Sequence, residues 1–318
     1  MIEANLKKIF FDCCNYKKNE KILILYDNST EKVTKHFTKF LDLKKIQYKT
    51  LLIKNVKIHG QEPRSYELKK SIDYEIVISI IKYSIAHTKY RYMLSQKNIK
   101  FLSLPYFSIA VLKNKAFSVN FRNETKKAFR IGKILSNCNN ISIFSNAGTN
   151  FFYSKSDKII NICPGWVYKK NVIASPPNIE VNIPLLGNNS HGLLIIDGSI
   201  TCDEFGILKK PISIKINKGK IEHIKGHKSK ILEKIFSKYK ISKVRPAELG
   251  IGLNPMAKIC GNMLIDEGSL GSIHIGFGSN STIGGDKKIP FHLDHIIKKP
   301  TLYCDDKLII SNGKINFG

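Results

Sequence analysis

The sequence predicts a mixed α and β protein, in which an open α/β domain over residues 1–150 is followed by a mostly β domain over residues 151–318. Two observations lead to this prediction. Over about the first 145 residues, short apolar runs alternate with segments of helical spacing, which is typical of open sheets with largely parallel strands. Beyond residue 150, helical spacing nearly disappears, and short strand-like runs lie between Gly, Pro and Asn residues.

The N-terminal domain is predicted to begin with an amphipathic helix within Met1–Lys21. Its apolar face suits either core packing or a homodimer interface, and it consists of Leu6, Ile9, Phe10 and Phe11. Lys21–Tyr26 is a short apolar run that suits a buried strand, and Glu31–Leu43 has apolar residues at helical spacing. The same reasoning predicts strand Gln47–Ile53, a short helix Tyr66–Ile72, strands Tyr74–Ile81 and Ile99–Leu104, helix Asn123–Ser136 and strand Asn140–Ser145.

Short strands separated by turn residues give the second domain its predicted β character. Asn217-Lys218-Gly219 and Asn312-Gly313 have the sequence of hairpin turns. A single helical segment, Ser229–Tyr239, interrupts the strands. The predicted strands include Gly192–Ile196, Ile212–Ile216, Ser272–Gly276 and Lys307–Ile310.

The strongly basic composition needs an explanation, because the formal net charge is +27. A basic balance can indicate nucleic acid or an anionic membrane as a partner. However, only five of the 52 basic residues are arginines, and the lysines are spread over the whole chain. Proteins that read nucleic acid favour the planar fork of arginine. We therefore predict a small-molecule or peptide substrate as the partner, and no nucleic acid.

Neither a membrane segment nor an export signal is predicted. No apolar run approaches the roughly 20 residues that span a bilayer, and Met1–Lys21 lacks the apolar stretch of a signal peptide. The seven cysteines contain no CxxC pair, so neither a disulfide framework nor a thiolate zinc site is expected. We therefore predict a cytoplasmic protein.

The C-terminal half contains a concentrated set of candidate metal ligands. His274 lies in a strand-like segment between glycines, which allow close approach to the backbone. His292 and Asp294 are two residues apart, so on a strand their side chains point the same way and could chelate one ion. Two imidazoles and one carboxylate suit zinc, manganese, cobalt or ferrous iron. His274, His292 and Asp294 are therefore predicted to bind a divalent metal ion.

Three glutamates add to this predicted site. Glu180 and Glu248 each lie in an otherwise apolar segment that contains proline. A lone carboxylate in such a segment is costly to bury unless it is paired or bound to a metal. Glu267 follows the apolar residues 263–265, and a solvated turn is an equally good interpretation of its position.

A series of short motifs in this half resembles a known family. The motifs are, in chain order, Pro177 with Glu180, Val181 and Pro184; Asp197-Gly198; Glu248 through Pro255; Asp266-Glu267; Ile273 through Gly278; and His292 with Asp294. Their order is similar to that of the metallo-aminopeptidases of the aminopeptidase T family (peptidase family M29) and of the related 2,5-dihydroxypyridine 5,6-dioxygenases. The resemblance covers about residues 160–315.

The two branches of this family imply different uses of the same positions. The aminopeptidase resemblance implies a divalent metal site of up to two zinc, cobalt or manganese ions, whose ligands are Glu180, Glu248, His274, His292 and Asp294. It also implies catalytic roles for Glu248 and Glu267. The dioxygenase resemblance implies a single Fe(II) ion held by His274, His292 and Asp294, with Glu180 in contact with substrate. Ser281 stands where the aminopeptidases carry a tyrosine.

The leading functional prediction is a metal-dependent hydrolase that cleaves an amide or N-terminal peptide bond with metal-activated water. In this hydrolase, Glu248 would be a shared metal ligand or the general base. The alternative is a mononuclear Fe(II) dioxygenase that opens an aromatic ring. A third interpretation is a non-catalytic, metal-binding accessory protein.

Overall fold

The structure is a computed structural model, and it describes residues 1–169 and 172–316. The chain forms two compact units: unit 1 comprises residues 1–122 and 163–178, and unit 2 comprises residues 123–162 and 179 onward. Helices and several sheets are both present, which confirms the predicted mixed class. The domain boundary near residue 150 stays a prediction. Within the described ranges, no helix has the length and apolarity needed to cross a membrane.

Helices and strands are numbered here in chain order. The helices are α1 (Ile2–Lys7), α2 (Glu31–Leu43), α3 (Lys89–Gln96), α4 (Ile109–Leu112), α5 (Phe121–Asn137), α6 (Ser229–Ser237) and α7 (Met263–Asp266). The first strands are β1 (Ile22–Tyr26), β2 (Tyr48–Leu52), β3 (Ile76–Ile80), β4 (Lys100–Ser103), β5 (Asn140–Phe144), β6 (Asn150–Ser154), β7 (Asn161–Cys163) and β8 (Ile173–Ala174). The later strands are β9 (Glu180–Pro184), β10 (Ser190–Ile196), β11 (Ser199–Ile200), β12 (Gly206–Ile207), β13 (Ile212–Asn217), β14 (Lys220–Gly226), β15 (Pro246–Gly252), β16 (Ile273–Gly278), β17 (His292–Ile297), β18 (Thr301–Cys304), β19 (Lys307–Ser311) and β20 (Lys314–Ile315).

Unit 1 is built around a parallel five-stranded sheet of order β2-β1-β3-β4-β8. β3 is buried along its whole length, as expected for a central parallel strand with a continuously apolar sequence. α2 buries the face that its helical spacing predicts, namely Val33, Phe37, Phe40 and Leu41. The predicted strands β1 to β4 and the predicted helix α2 are therefore confirmed.

Two N-terminal predictions were wrong in part. The helix predicted within Met1–Lys21 is shorter, because α1 and the π-helical turn after it end at Cys13. Asn15 and Asn19 then adopt positive φ angles of 49° and 72°, which are incompatible with a right-handed helix. The strand predicted over Asn140–Ser145 forms as β5, but it pairs antiparallel with β6 and β18 instead of joining the parallel sheet. Its alternating apolar sequence favours a strand without specifying which strands will pair with it.

Unit 2 contains an eight-stranded sheet of order β14-β13-β10-β6-β5-β18-β19-β20 and a seven-stranded sheet of order β12-β11-β17-β16-β15-β9-β7. From β12 to β9, neighbouring strands of the seven-stranded sheet pair antiparallel. One face of this sheet is a buried apolar layer, in which Phe277 stacks on Phe236 of α6 with ring centroids 5.6 Å apart. The other face of its central strands carries the predicted metal ligands.

Candidate metal centre

The candidate centre lies on one face of four adjacent strands, β9, β15, β16 and β17. In the antiparallel register, Glu248 on β15 lies opposite Gly276 on β16, and Gly276 lies opposite Asp294 on β17. His292 is two residues before Asp294 and shares its face, because side chains alternate along a strand. The predicted pair of His292 and Asp294 therefore points to the same side as Glu248.

A second row of residues lies beside the first. Gly250 on β15 lies opposite His274 on β16 and opposite Asn182 on β9. Glu180 is two residues before Asn182 and shares its face. Glu180, Asn182 and His274 are all buried. The strand order thus brings together residues that are more than 90 positions apart in the sequence.

Two glycines make room for the histidine rings. A Cβ atom at Gly250 would lie 2.1 Å from both Cε1 and Nε2 of His274. A Cβ atom at Gly276 would lie 2.6 Å from Cε1 of His292 and 2.9 Å from Oδ1 of Asp294. Each ring therefore lies directly over the backbone of the neighbouring strand, which is possible only because that strand has no side chain at this point.

The donor atoms form two groups that share Glu248. In the first group, Nε2 of His274 lies 3.7 Å from Oε2 of Glu180 and 3.8 Å from Oε1 of Glu248. In the second group, Nε2 of His292 lies 3.3 Å from Oε2 of Glu248 and 3.1 Å from Oδ1 of Asp294. All donor atoms of a group lie within 4.8 Å of one another. The two oxygens of Glu248 therefore face different histidines.

In the absence of a metal ion, the carboxylates favour the charged form of both histidines. Burial opposes protonation of His274, but Glu180 and Glu248 outweigh it and raise its pKa to about 9. Burial also opposes protonation of His292, while Asp294 and Glu248 raise its pKa to about 10. Burial alone would raise the pKa of Asp294, but His292 lowers that pKa well below its usual value. The charges of the cluster are thus balanced by protons that a metal ion would replace.

Glu267 belongs to the same cluster, directly after α7. Burial, together with the charges of Asp294 and Glu180, raises the pKa of Glu267 well above its usual value. A side-chain hydrogen bond joins Glu267 to Asp294. Because the protonated form of Glu267 is favoured, Glu267 donates this hydrogen bond and the ionised Asp294 accepts it. A fully solvated turn, the other interpretation of its sequence position, does not describe this residue.

The two histidines are held in different ways. Nδ1 of His292 donates to the carbonyl oxygen of Ser279 at 2.8 Å, which leaves Nε2 to face the carboxylates. Nδ1 of His274 is buried and has no hydrogen-bond partner in the described ranges. The orientation of His274 therefore depends on the neighbours of its Nε2 atom and on the space above Gly250.

The donor set fits a divalent metal ion. Imidazole and carboxylate groups converge in a mostly buried cluster, and a bound cation compensates the burial of several carboxylates. The cluster includes all five predicted ligands, which are Glu180, Glu248, His274, His292 and Asp294. Among the described residues, two groups of donor atoms lie within 4.8 Å of one another, and the set of His274, His292 and Asp294 is neither of them. Glu248 lies between the two histidines instead.

Sequence reasoning missed one polar residue of the centre and the reason for two glycines. Asn182 is 3% exposed and lies among the predicted ligands, yet it was not identified from the sequence. A signal was present, because a polar residue two positions after Glu180 in an otherwise apolar strand must share its face. The space that Gly250 and Gly276 provide could not be predicted, since it depends on the strand register.

Among the comparisons with known proteins, a family model shows the family of this chain, and two solved structures show its fold. A family model described as NicX, 2,5-dihydroxypyridine 5,6-dioxygenase, matches residues 4–317. The structure of 2,5-dihydroxypyridine dioxygenase from Pseudomonas putida KT2440 is similar, with a TM-score of 0.81 and 15% identity, over 99% of this chain and 96% of that chain. Wild-type AmpT from Thermus thermophilus is also similar, with a TM-score of 0.70 and 10% identity, over 99% of this chain and 98% of that chain. No curated protein matches the sequence significantly.

Both relationships that the motifs suggested are thus supported, although to different degrees. At these identities, the two solved structures show a shared fold and nothing more. The family model spans nearly the whole chain, and it matches the dioxygenase branch. The comparisons therefore favour the alternative functional prediction over the leading one.

Proposed function

Because the chain belongs to the 2,5-dihydroxypyridine 5,6-dioxygenase family, we propose that it is a metal-dependent dioxygenase that opens a dihydroxylated aromatic ring. The observation that carries this proposal is the family match over residues 4–317, which includes every residue of the candidate metal centre. In such a reaction, both atoms of dioxygen enter the product while a carbon–carbon bond of the ring breaks. No further oxidant or reductant is required.

We assign the metal to His274, His292 and Asp294 because the dioxygenase resemblance implies this set, although in the metal-free structure the convergent donor groups each include Glu248. When bound, a ferrous ion supplies coordination positions at which dioxygen and the hydroxylated ring are brought together. In the metal-free centre, Asp294 is ionised and accepts a hydrogen bond from the protonated Glu267, which makes Glu267 the candidate proton donor beside the metal ligands. The side chain of His292 is 29% exposed, whereas those of His274 and Asp294 are below 10%. We therefore expect the small-molecule substrate to enter on the side of His292.

A dinuclear hydrolase of the aminopeptidase T type is the second candidate. It is favoured by Glu248, whose two oxygens face the two histidines as a carboxylate that bridges two ions would. Two metal ions could then polarise an amide carbonyl and activate water, with a peptide as substrate. This candidate ranks second because the family match is to the dioxygenases.

Oxygen consumption tests the proposal. The protein is loaded anaerobically with Fe(II) and then mixed with 2,5-dihydroxypyridine in air-saturated buffer. We expect one dioxygen to be consumed for each ring opened, and both atoms of ¹⁸O₂ to appear in the product. His292→Ala should abolish the reaction because it removes a metal ligand. His191→Ala removes an exposed histidine outside the centre and should leave the rate unchanged.

Two results would count against a dioxygenase. One is the absence of oxygen uptake with 2,5-dihydroxypyridine, other dihydroxypyridines and dihydroxybenzenes, although iron is bound. The other is release of N-terminal residues from peptides by protein loaded with zinc, cobalt or manganese. The second result would support the dinuclear hydrolase.

A further inference from the structure

Asn182 is a buried polar residue of the candidate centre to which the sequence motifs assign no role. It lies on β9, two residues after Glu180 and on the same face. Gly250 on β15 is the register partner of both Asn182 on β9 and His274 on β16, so Asn182 and His274 lie on either side of this glycine. At 3% exposure, its carboxamide is almost completely removed from solvent.

The carboxamide of Asn182 binds one oxygen of Glu180 and leaves the other for the histidine. Nδ2 of Asn182 donates to Oε1 of Glu180 at 2.9 Å. Oε2 of Glu180 then lies 3.7 Å from Nε2 of His274, within the first donor group. Since a carboxylate rotates as a unit, a hydrogen bond that fixes Oε1 also fixes the direction of Oε2.

The chemistry of the pair determines which end of the carboxamide faces Glu180. An ionised carboxylate only accepts hydrogen bonds, so the nitrogen of Asn182 must point towards it. This orientation leaves Oδ1 of Asn182 buried and without a hydrogen-bond partner in the described ranges. An unpaired buried acceptor is unfavourable for folding, so it offsets part of what the bond to Glu180 contributes to stability. Asn182 therefore contributes more to the arrangement of the centre than to the stability of the fold.

We propose that Asn182 is a positioning residue, which holds the carboxylate of Glu180 towards Nε2 of His274 and thereby strengthens metal binding at this centre. The negative charge of Glu180 lies beside the histidine nitrogen that faces the ion, so its orientation contributes directly to the attraction of a cation. The inference rests on the proposed metal centre, but it does not depend on which reaction the centre catalyses.

Calorimetric titration with Mn²⁺ tests this role without any measurement of activity. We expect Asn182→Leu to raise the dissociation constant for Mn²⁺ about 10- to 100-fold, which is typical of groups that orient metal ligands. The same variant should lower the melting temperature of the metal-free protein only slightly, because the donor lost by Oε1 of Glu180 is partly offset by removal of the unpaired Oδ1 of Asn182. A loss of structure alone would raise the dissociation constant only together with a large fall in the melting temperature.

A double-mutant cycle identifies the residue through which Asn182 acts. Glu180→Gln should also weaken Mn²⁺ binding, and adding Asn182→Leu to Glu180→Gln should weaken it little further. Asn5→Leu is the matched control, because Asn5 is a buried amide in unit 1 that donates to the carbonyl oxygens of Leu112 and Asn114. This control should lower the melting temperature and leave Mn²⁺ affinity unchanged.

The proposal fails if Asn182→Leu binds Mn²⁺ within twofold of the wild type, or if its full effect persists in the Glu180→Gln background. Unaltered Mn²⁺ affinity in Glu180→Gln alone would also overturn it. If Asn182→Leu does not fold, Asn182→Ser replaces it, since serine is too short to reach Oε1 of Glu180. A wild-type protein that binds no Mn²⁺ would instead overturn the metal centre itself, so the two failures are distinguishable.

Discussion

At the scale of single residues, the missing side chain at Gly250 matters as much as the ligands. The ring of His274 lies over this glycine, and an added Cβ atom would come within 2.1 Å of it. The ring is 2% exposed and lies between Glu180 and Glu248, so it has little space into which it can move. The position of His274 in the centre therefore depends on the absence of a Cβ atom on the neighbouring strand.

Gly250→Ala should weaken Mn²⁺ binding by about tenfold or more, because the new methyl group pushes His274 away from the carboxylates. Calorimetric titration of the metal-free variant measures the change. Gly132→Ala in α5 is the control, since its Cβ atom would meet the flexible side chains of Ile160, at 3.0 Å, and Ile162, at 3.5 Å, and no backbone atom of another described segment within 3.5 Å. Equal affinity of Gly250→Ala and the wild type would contradict the placement of His274.

The raised pKa values of the two histidines predict how metal binding depends on pH. His274 and His292, with pKa values of about 9 and about 10, are mostly protonated near neutral pH when no metal ion is bound. A metal ion must displace these protons, so Mn²⁺ affinity should fall as the pH is lowered, by up to about 100-fold per pH unit where two protons are displaced. Titrations in buffers of different ionisation enthalpy count the protons released. Binding without proton release would show that the histidines are neutral in the metal-free protein.

At the scale of elements, the segment from β16 to β17 supports the ring of His292. Asn280, two residues after β16, is fully buried, and its Nδ2 atom donates to the carbonyl oxygens of Leu185 and Ala247 at 3.1 Å and 3.0 Å. Its Oδ1 atom accepts from the backbone N–H of Lys287 at 2.7 Å. These bonds fix the segment whose Ser279 carbonyl oxygen accepts from His292. One asparagine thus ties the β16–β17 connection to the neighbouring strands.

Asn280→Ala should lower the free energy of unfolding by about 3 kcal/mol, because it removes three hydrogen bonds made by one fully buried amide, each worth about 1 kcal/mol. Urea denaturation measures the difference. Asn217→Ala removes an asparagine amide whose bond to Glu222 is exposed, so it should cost less than about 0.5 kcal/mol. A loss below about 1 kcal/mol for Asn280→Ala would mean that this amide does not anchor the connection.

The sequence specified individual elements better than their partners. The apolar spacing of Glu31–Leu43 predicted α2 with its observed bounds, because helix formation there depends on residues close in sequence. The turns at Lys218-Gly219 and Asn312-Gly313 were also predicted, and all four residues adopt the positive φ angles that such turns require. Strand pairing was harder to predict from the sequence, as β5 illustrates, because pairing depends on segments that are distant in the chain.

The candidate site follows the same rule. His292 and Asp294 could be paired from sequence, because alternation along one strand places them on one face. The sharing of Glu248 between two donor groups could not be predicted from the sequence, since it depends on the register of β15 against β16 and of β16 against β17. The hydrogen bond from Asn182 to Glu180 involves neighbours on one strand, but its importance is visible only when His274 is placed opposite.

At the scale of the whole molecule, a strongly basic chain concentrates acidic groups at one place. The net charge is +27, yet the carboxyl groups of Glu180, Glu248, Glu267 and Asp294 converge in one cluster. Their mutual repulsion is reduced by two protonated histidines and by the proton on Glu267. A bound cation would take over this role, so metal binding should stabilise the folded chain as well as complete the centre.

The number of metal ions per chain tests the account most directly, because it does not require the substrate to be known. Metal-free protein is dialysed anaerobically against Fe(II), and bound iron is counted by elemental analysis. The account predicts one iron per chain in the wild type and none in His292→Ala. Two ions per chain, retained with zinc or manganese as well as with iron, would contradict a one-iron dioxygenase and favour the hydrolase in which Glu248 bridges two metals.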